Sequence, residues 1–135
     1  MPMIDEHINR PINILIVDDS KTVHMMLKNT IGQVMGQATI YDAFNGFEAV
    51  AQVESLEIDI ILLDWNMPEM NGIEPLKEIR ANPENRNIKI AMVTTEAQKD
   101  DVRKAISMGL NGYIVKPFNR DKVVAFLKQS IARLV

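Results

Sequence analysis

Three aspartates, a threonine and a lysine stand at the ends of the apolar runs of this chain. Asp18 and Asp19 follow "ILIV", Asp64 follows "IILL", Thr94 and Thr95 follow "IAMV", and Lys116 follows "GYIV". Two carboxylates about 4 Å apart repel by about 1 kcal/mol in water and about 4 kcal/mol at an effective dielectric of about 20. Three of them gathered in one place require a cation. Mg2+ suits the set, because it takes hard oxygen ligands, keeps several waters and uses one or two carboxylates together with phosphate oxygens. With phosphate as the guest, each group has a task. Asp64 is the nucleophile, the metal and Lys116 neutralise charge on the phosphoryl oxygens, and Thr94 offers a hydrogen bond. Taken singly, an Asp after a strand is a turn former or helix cap, Thr94 a β-branched strand residue and Lys116 a surface charge. Their occurrence together at four run ends is what points to chemistry.

Such residues meet only if the runs lie side by side. Short apolar runs at residues 12–17, 38–43, 59–63, 89–93 and 112–115 alternate with amphipathic segments, and that order predicts a parallel sheet with helices on both faces. In an open sheet of this kind ligands bind outside the carboxyl ends of the strands, where the acids, Thr94 and Lys116 fall. Val23, Met26, Leu27, Thr30 and Ile31 mark a first helix capped by Ser20. Phe47, Val50 and Val53 mark a second, and Ile73, Leu76 and Ile79 a third, ended by Asn82-Pro83 because the residue before proline disfavours helix. Val102, Ala105 and Ile106 mark a fourth, closed by Gly109. Asn119 caps a fifth that carries Val123, Phe126, Leu127 and Leu134.

Composition narrows the function. The 135 residues fit one domain, with residues 1–10 read as a mobile arm and 11–135 as the folded unit. A net charge of −3 gives no broad cationic field for nucleic acid. No segment has the apolar length to cross a membrane, and the first residues lack the apolar stretch of a signal peptide. Cysteine is absent, which rules out disulfides and thiolate metal sites and suits a cytoplasmic location. His7 and His24 have no partner at metal-ligand spacing and are read as solvated and helix-surface residues. No G-x-G-x-x-G follows the first strand, which weakens a dinucleotide-binding reading.

The segments "ILIVDDS", "LLDWNMPEMNG", "MVTTEAQKDDV" and "NGYIVKPF", in this order, resemble the receiver domain of bacterial two-component response regulators, in particular its stand-alone, CheY-like chemotaxis form. The likeness runs over about residues 13–134. It implies a five-stranded, doubly wound, flavodoxin-like α/β fold. It also implies that Asp64 is the phosphoacceptor, that Asp18 and Asp19 organise Mg2+ with Asp64, and that Asn66 adds its backbone carbonyl. Thr94 matches the switch hydroxyl, Lys116 the lysine on the phosphoryl group and Tyr113 the aromatic that reports activation. Lys116-Pro117 matches a bond that is usually cis in the family. Asn66 and Glu96 match the two positions beside the path of the water that hydrolyses the acyl phosphate.

The partners implied are a histidine kinase as phosphodonor, a target such as a flagellar motor switch protein and, in some systems, a phosphatase. The chain is expected to be a monomeric, single-domain switch whose output is protein binding rather than an enzyme in the ordinary sense. Service as a phosphorelay intermediate or phosphate sink is the alternative within the family. Two positions depart from the common pattern. Thr95 is larger than the residue usually found there, and Asn71 replaces a frequent Asp before Gly72. From a different class, a haloacid dehalogenase-type phosphatase also uses a strand-end Asp with Mg2+. It requires a second Asp two residues on, where Asn66 stands, and a nucleophile after the first strand.

Overall fold

The computed structural model describes residues 2–67, 71–95 and 99–134, the side chains of 99 and 100 excepted. Five strands, β1 (Ile12–Val17), β2 (Ala38–Ala43), β3 (Ile60–Asp64), β4 (Lys89–Thr94) and β5 (Gly112–Val115), alternate with five helices. These are α1 (Lys21–Val34), α2 (Gly46–Ser55), α3 (Ile73–Ala81), α4 (Lys99–Ser107) and α5 (Arg120–Ala132). All strand pairs are parallel, in the order β2-β1-β3-β4-β5. The chain turns from one side of β1 to the other between β2 and β3, so the carboxyl ends of β1 and β3 flank the switch point where such sheets bind ligands.

Side-chain alternation divides the core in two. Ile14, Ile16, Ile60, Leu62 and Val93 face Leu27 and Ile31 of α1 and Val123 and Leu127 of α5. Leu15, Val17, Ile61, Leu63 and Met92 face Ala49 and Val53 of α2, Leu76 and Ile79 of α3 and Ala105 of α4. A strand covered on both faces runs apolar, and β3, buried along its whole length, is apolar from Ile60 to Leu63 before it ends in Asp64. The expected caps are in place. Ser20 Oγ accepts from Val23 N and Asn119 Oδ1 from Lys122 N, α3 stops before Asn82, and Gly109 ends the turn after α4 at φ +99°, where a side chain would be strained.

Four expectations are corrected. β3 runs one residue later than expected, so Asp64 is its last residue, and β4 likewise takes in Thr94. The arm is docked: Asp5 is fully buried, and its carboxylate accepts from Gly36 N (2.8 Å) and Gln37 N (2.7 Å) while Ile4 N donates to Val34 O. The buried stripe of α1 is His24, Leu27, Ile31 and Val34, with Met26 exposed. His24 is therefore interior rather than on the helix surface. Phe47, read as a core marker of α2, is 74% exposed, and Ile106 of α4 is exposed too. Among the described residues no helix is long and apolar enough to cross a membrane.

Candidate functional site

β1 delivers Asp18 to the rim and the turn into α1 holds it there. Its N–H donates to Ala43 O of β2, and its Oδ1 accepts from Ser20 N at 2.8 Å. That Asx turn sets the entry to α1, so one short segment both ends a strand and aims a carboxylate. Asp19 beside it is exposed. β3 delivers Asp64, 3% exposed, whose Oδ1 accepts from Asn66 N at 3.2 Å. Carboxylate oxygens of Asp18, Asp19 and Asp64 all lie within 4.8 Å of one another.

Lys116 reaches in from the end of β5. Its Nζ donates to Asp18 Oδ2 at 3.0 Å and lies 3.4 Å from Asp64 Oδ1. The Lys116-Pro117 bond is cis, and Lys116 N donates to Thr94 O across to β4. Burial first, then the negative charge of Asp18, raises the Asp64 carboxyl above its ordinary range, against the opposing pull of Lys116 and the Asn66 amide. Burial lowers Lys116, but its bond to Asp18 and the charges of Asp64 and Asp18 outweigh that and leave it raised. Among the described residues the three carboxylates face one lysine, so the pocket holds more negative than positive charge.

The donor set fits a hard divalent cation. Among the described residues, three carboxylates with convergent oxygens and no nitrogen or sulfur ligand beside them suit Mg2+ rather than zinc or copper, and Lys116 spans only Asp18 and Asp64. Thr94, buried at the end of β4, accepts from Asn66 Nδ2 at 2.9 Å, and the exposed Thr95 lies 3.5 Å from the same nitrogen. Asn66 itself is exposed at the mouth of the pocket. Tyr113 on β5 is 49% exposed, turned toward solvent. Glu96 lies outside the described residues.

The loop from Asp64 into α3 explains two further letters of its motif. A Cβ on Gly72 would lie 2.6 Å from Trp65 Cε3 and 3.1 Å from the Asp64 carbonyl, so only glycine lets the chain return this close beneath the acceptor. Asn71 Oδ1 accepts from Ile73 N at 3.0 Å, the turn that an Asp would also make. What the sequence reading missed is a pair behind Asp18, namely His24 of α1 and Asp42 of β2, joined at 2.5 Å. The signal was present in the spacing, since 24, 27, 31 and 34 form one helical stripe.

The chain is thus a doubly wound parallel α/β domain whose carboxyl rim gathers acids around a lysine. Residues 14–128 match the response regulator receiver domain, and the chain belongs to that family. It is 36% identical over 127 residues to chemotaxis protein CheY-3 of Vibrio cholerae, covering 94% of both chains. It is 42% identical over 108 residues to the chemotaxis protein CheY homolog of Campylobacter jejuni, covering 79% of this chain and 82% of the relative. The solved structure of chemotaxis protein CheY4 of Vibrio cholerae superposes with a TM-score of 0.81 at 30% identity, over 89% of this chain and 98% of that one. The chain is thus a CheY-like receiver domain, a signalling module of two-component systems.

Proposed function

We propose that this chain is a phosphorylation switch in which Asp64 accepts a phosphoryl group from the phosphohistidine of a histidine kinase. The observation that carries the reading is a buried carboxylate at a strand end, set between a second acid and a lysine in a pocket short of positive charge. An Asp64 oxygen attacks phosphorus, a P–O bond forms, the P–N bond breaks and the histidine departs with the bonding electrons. Asp18, Asp19, Asp64 and the Asn66 carbonyl would hold Mg2+, which when bound neutralises charge on the transferring phosphoryl oxygens. Lys116 stays protonated and meets another of those oxygens. The buried β3 keeps the nucleophile aimed without reorganisation, and Lys116 follows directly from β5.

Thr94 and Tyr113 form the output arm. The new charge draws the Thr94 hydroxyl away from Asn66 Nδ2 toward the phosphoryl group, and the space released lets Tyr113 turn inward from its exposed position. This is a population shift, driven only by the difference in phosphoryl affinity between the two states. Asn66 and Glu96 match the two family positions that govern the hydrolytic water, and both are polar, so the phosphoform is short-lived and label is lost within seconds to minutes of donor removal. Replacing either residue changes that rate.

The CheY relatives support chemotaxis as the setting and a flagellar motor switch protein as the target, with the chain cytoplasmic and residues 11–135 as the working unit. Full-length protein treated with beryllofluoride and Mg2+ is expected to retain a motor switch protein that untreated protein and beryllofluoride-treated Asp64→Ala do not. Retention of a histidine phosphotransfer protein alone would place the chain in a relay, and equal retention by Asp64→Ala would refute the switch.

A further inference from the structure

Asp18 has three oxygens, and each is held by a different part of the fold. Oδ1 takes the Ser20 amide and Oδ2 takes Lys116. The main-chain carbonyl takes His24 Nε2, at 2.8 Å. A carbonyl can only accept, so this nitrogen carries a proton. The other ring nitrogen, Nδ1, meets Asp42 Oδ1 at 2.5 Å. The ring is 3% exposed and stacks on Phe44, centroids 4.4 Å apart and planes 27° apart. Asp42 is fixed in turn by Lys28 Nζ at 2.6 Å. Burial alone would raise Asp42, but the bonds from Lys28 and His24 outweigh it and keep the carboxyl below its ordinary range, hence ionised.

The carbonyl of Asp18 belongs to the peptide plane that joins Asp18 to Asp19. That plane is rigid, so anchoring its oxygen sets the direction from which both acids leave the main chain. The Asp18 N–H on the preceding plane is bonded to Ala43 O of β2. The acid pair is therefore clamped on both sides, by the β2 backbone and by a histidine whose own orientation comes from β2 through Asp42.

We infer that His24 is a positioning residue for the acidic pocket: by holding the Asp18 carbonyl through Nε2, with Asp42 and Lys28 fixing the ring, it aims the Asp18-Asp19 pair at the place of the cation. The inference rests on the phosphorylation-switch reading, and it assigns to that site a residue lying outside the acids and the lysine. Groups that orient ligands without touching the metal typically change its affinity about 10-fold to 100-fold when lost. His24 acts through the peptide plane of two ligands, so the lower end applies.

Two substitutions separate orientation from packing. In His24→Gln the terminal amide nitrogen reaches the place of Nε2 and keeps a donor for the Asp18 carbonyl. In His24→Asn the shorter side chain reaches only the place of Nδ1 and loses that donor. Both introduce an amide into the same buried space. Calorimetric titration of the full chain with Mg2+, with Trp65 emission as a second signal and stability recorded in Mg2+-free buffer, is expected to show affinity about 10-fold weaker in His24→Asn. His24→Gln should stay within about 3-fold of wild type.

Unchanged affinity in a folded His24→Asn, or equal losses in both variants, would overturn the inference. Should His24→Asn not fold, Asp42→Ala decides, because alanine leaves Nδ1 without this partner. Freeing the far side of the ring is expected to weaken Mg2+ binding about 3-fold, and no weakening would overturn the clamp. If wild type itself fails to bind Mg2+, the phosphorylation-switch reading falls first and takes this inference with it. That failure is recognisable because it appears before any substitution is made.

Discussion

β3 has an acid at each end, and the two live in opposite circumstances. Asp59, immediately before the strand, takes a bidentate pair from Arg10 at 2.9 and 2.8 Å and a third bond from Asn13 N at 2.8 Å. Asp64, the last residue, receives one backbone bond at 3.2 Å and a lysine at 3.4 Å, and has Asp18 against it. The amino end of the sheet satisfies its acid with short bonds. The carboxyl end sets acid against acid and leaves Asp64 with long bonds only. Oxygens that are fully satisfied have nothing to offer a ligand, so the same residue type fastens the fold at one end and stays available for chemistry at the other.

Mg2+ should separate the two ends most widely. Anything that binds only the folded state stabilises it by mass action, by about 2.7 kcal/mol when present at about 100 times its Kd. Wild type and Asp59→Asn are expected to gain by similar amounts in chemical denaturation with and without Mg2+. Asp64→Asn should gain clearly less, having lost a ligand. Equal gains in all three would show that the cation does not bind at the rim.

Smaller effects of opposite sign should follow in Mg2+-free buffer. Asp59→Asn is expected to lower stability by about 1–2 kcal/mol, toward the low end of charge-assisted bonds because Arg10 is half exposed. Asp64→Asn should raise it by on the order of 1 kcal/mol, since it removes a buried carboxylate facing another. The sign follows from linkage. A carboxyl raised in the folded state binds its proton more tightly there, so its ionisation costs stability above the folded pKa, and the cost vanishes as pH falls toward the unfolded value of about 3.9. The advantage of Asp64→Asn over wild type should be full above the raised folded pKa and shrink as pH falls through the raised range. An advantage independent of pH would assign it to packing instead.

The contrast between the ends also explains what the sequence disclosed. Strands buried on both faces write themselves as apolar runs, and the first charged or hydroxyl residue after each run had to lie on the carboxyl rim. Asp18, Asp64, Thr94 and Lys116 were legible for that reason. The fastenings were not, because they join residues far apart in sequence and leave no periodic trace. Asp5 caps amides 31 and 32 residues on, so an arm with no apolar pattern read as mobile. His24 was misplaced because Val23 and Met26 drew the apolar stripe of α1 off by a fraction of a turn, onto a face that leaves Met26 in water. Phe47 shows the converse error, since an exposed aromatic at the start of α2 is indistinguishable by pattern from a core one.

The central claim is that the carboxylate ending β3 is the phosphoryl acceptor of this rim. Its most direct test is to incubate the chain with acetyl phosphate and Mg2+, reduce the acyl phosphate with borohydride so that the modified aspartate becomes homoserine, and locate that residue by peptide mass spectrometry. The account predicts modification at position 64 alone, present in wild type and Asp59→Asn, absent in Asp64→Asn and suppressed by EDTA. Modification at Asp18 or Asp19 in place of Asp64, or labelling of Asp64 that EDTA leaves unchanged, would contradict it.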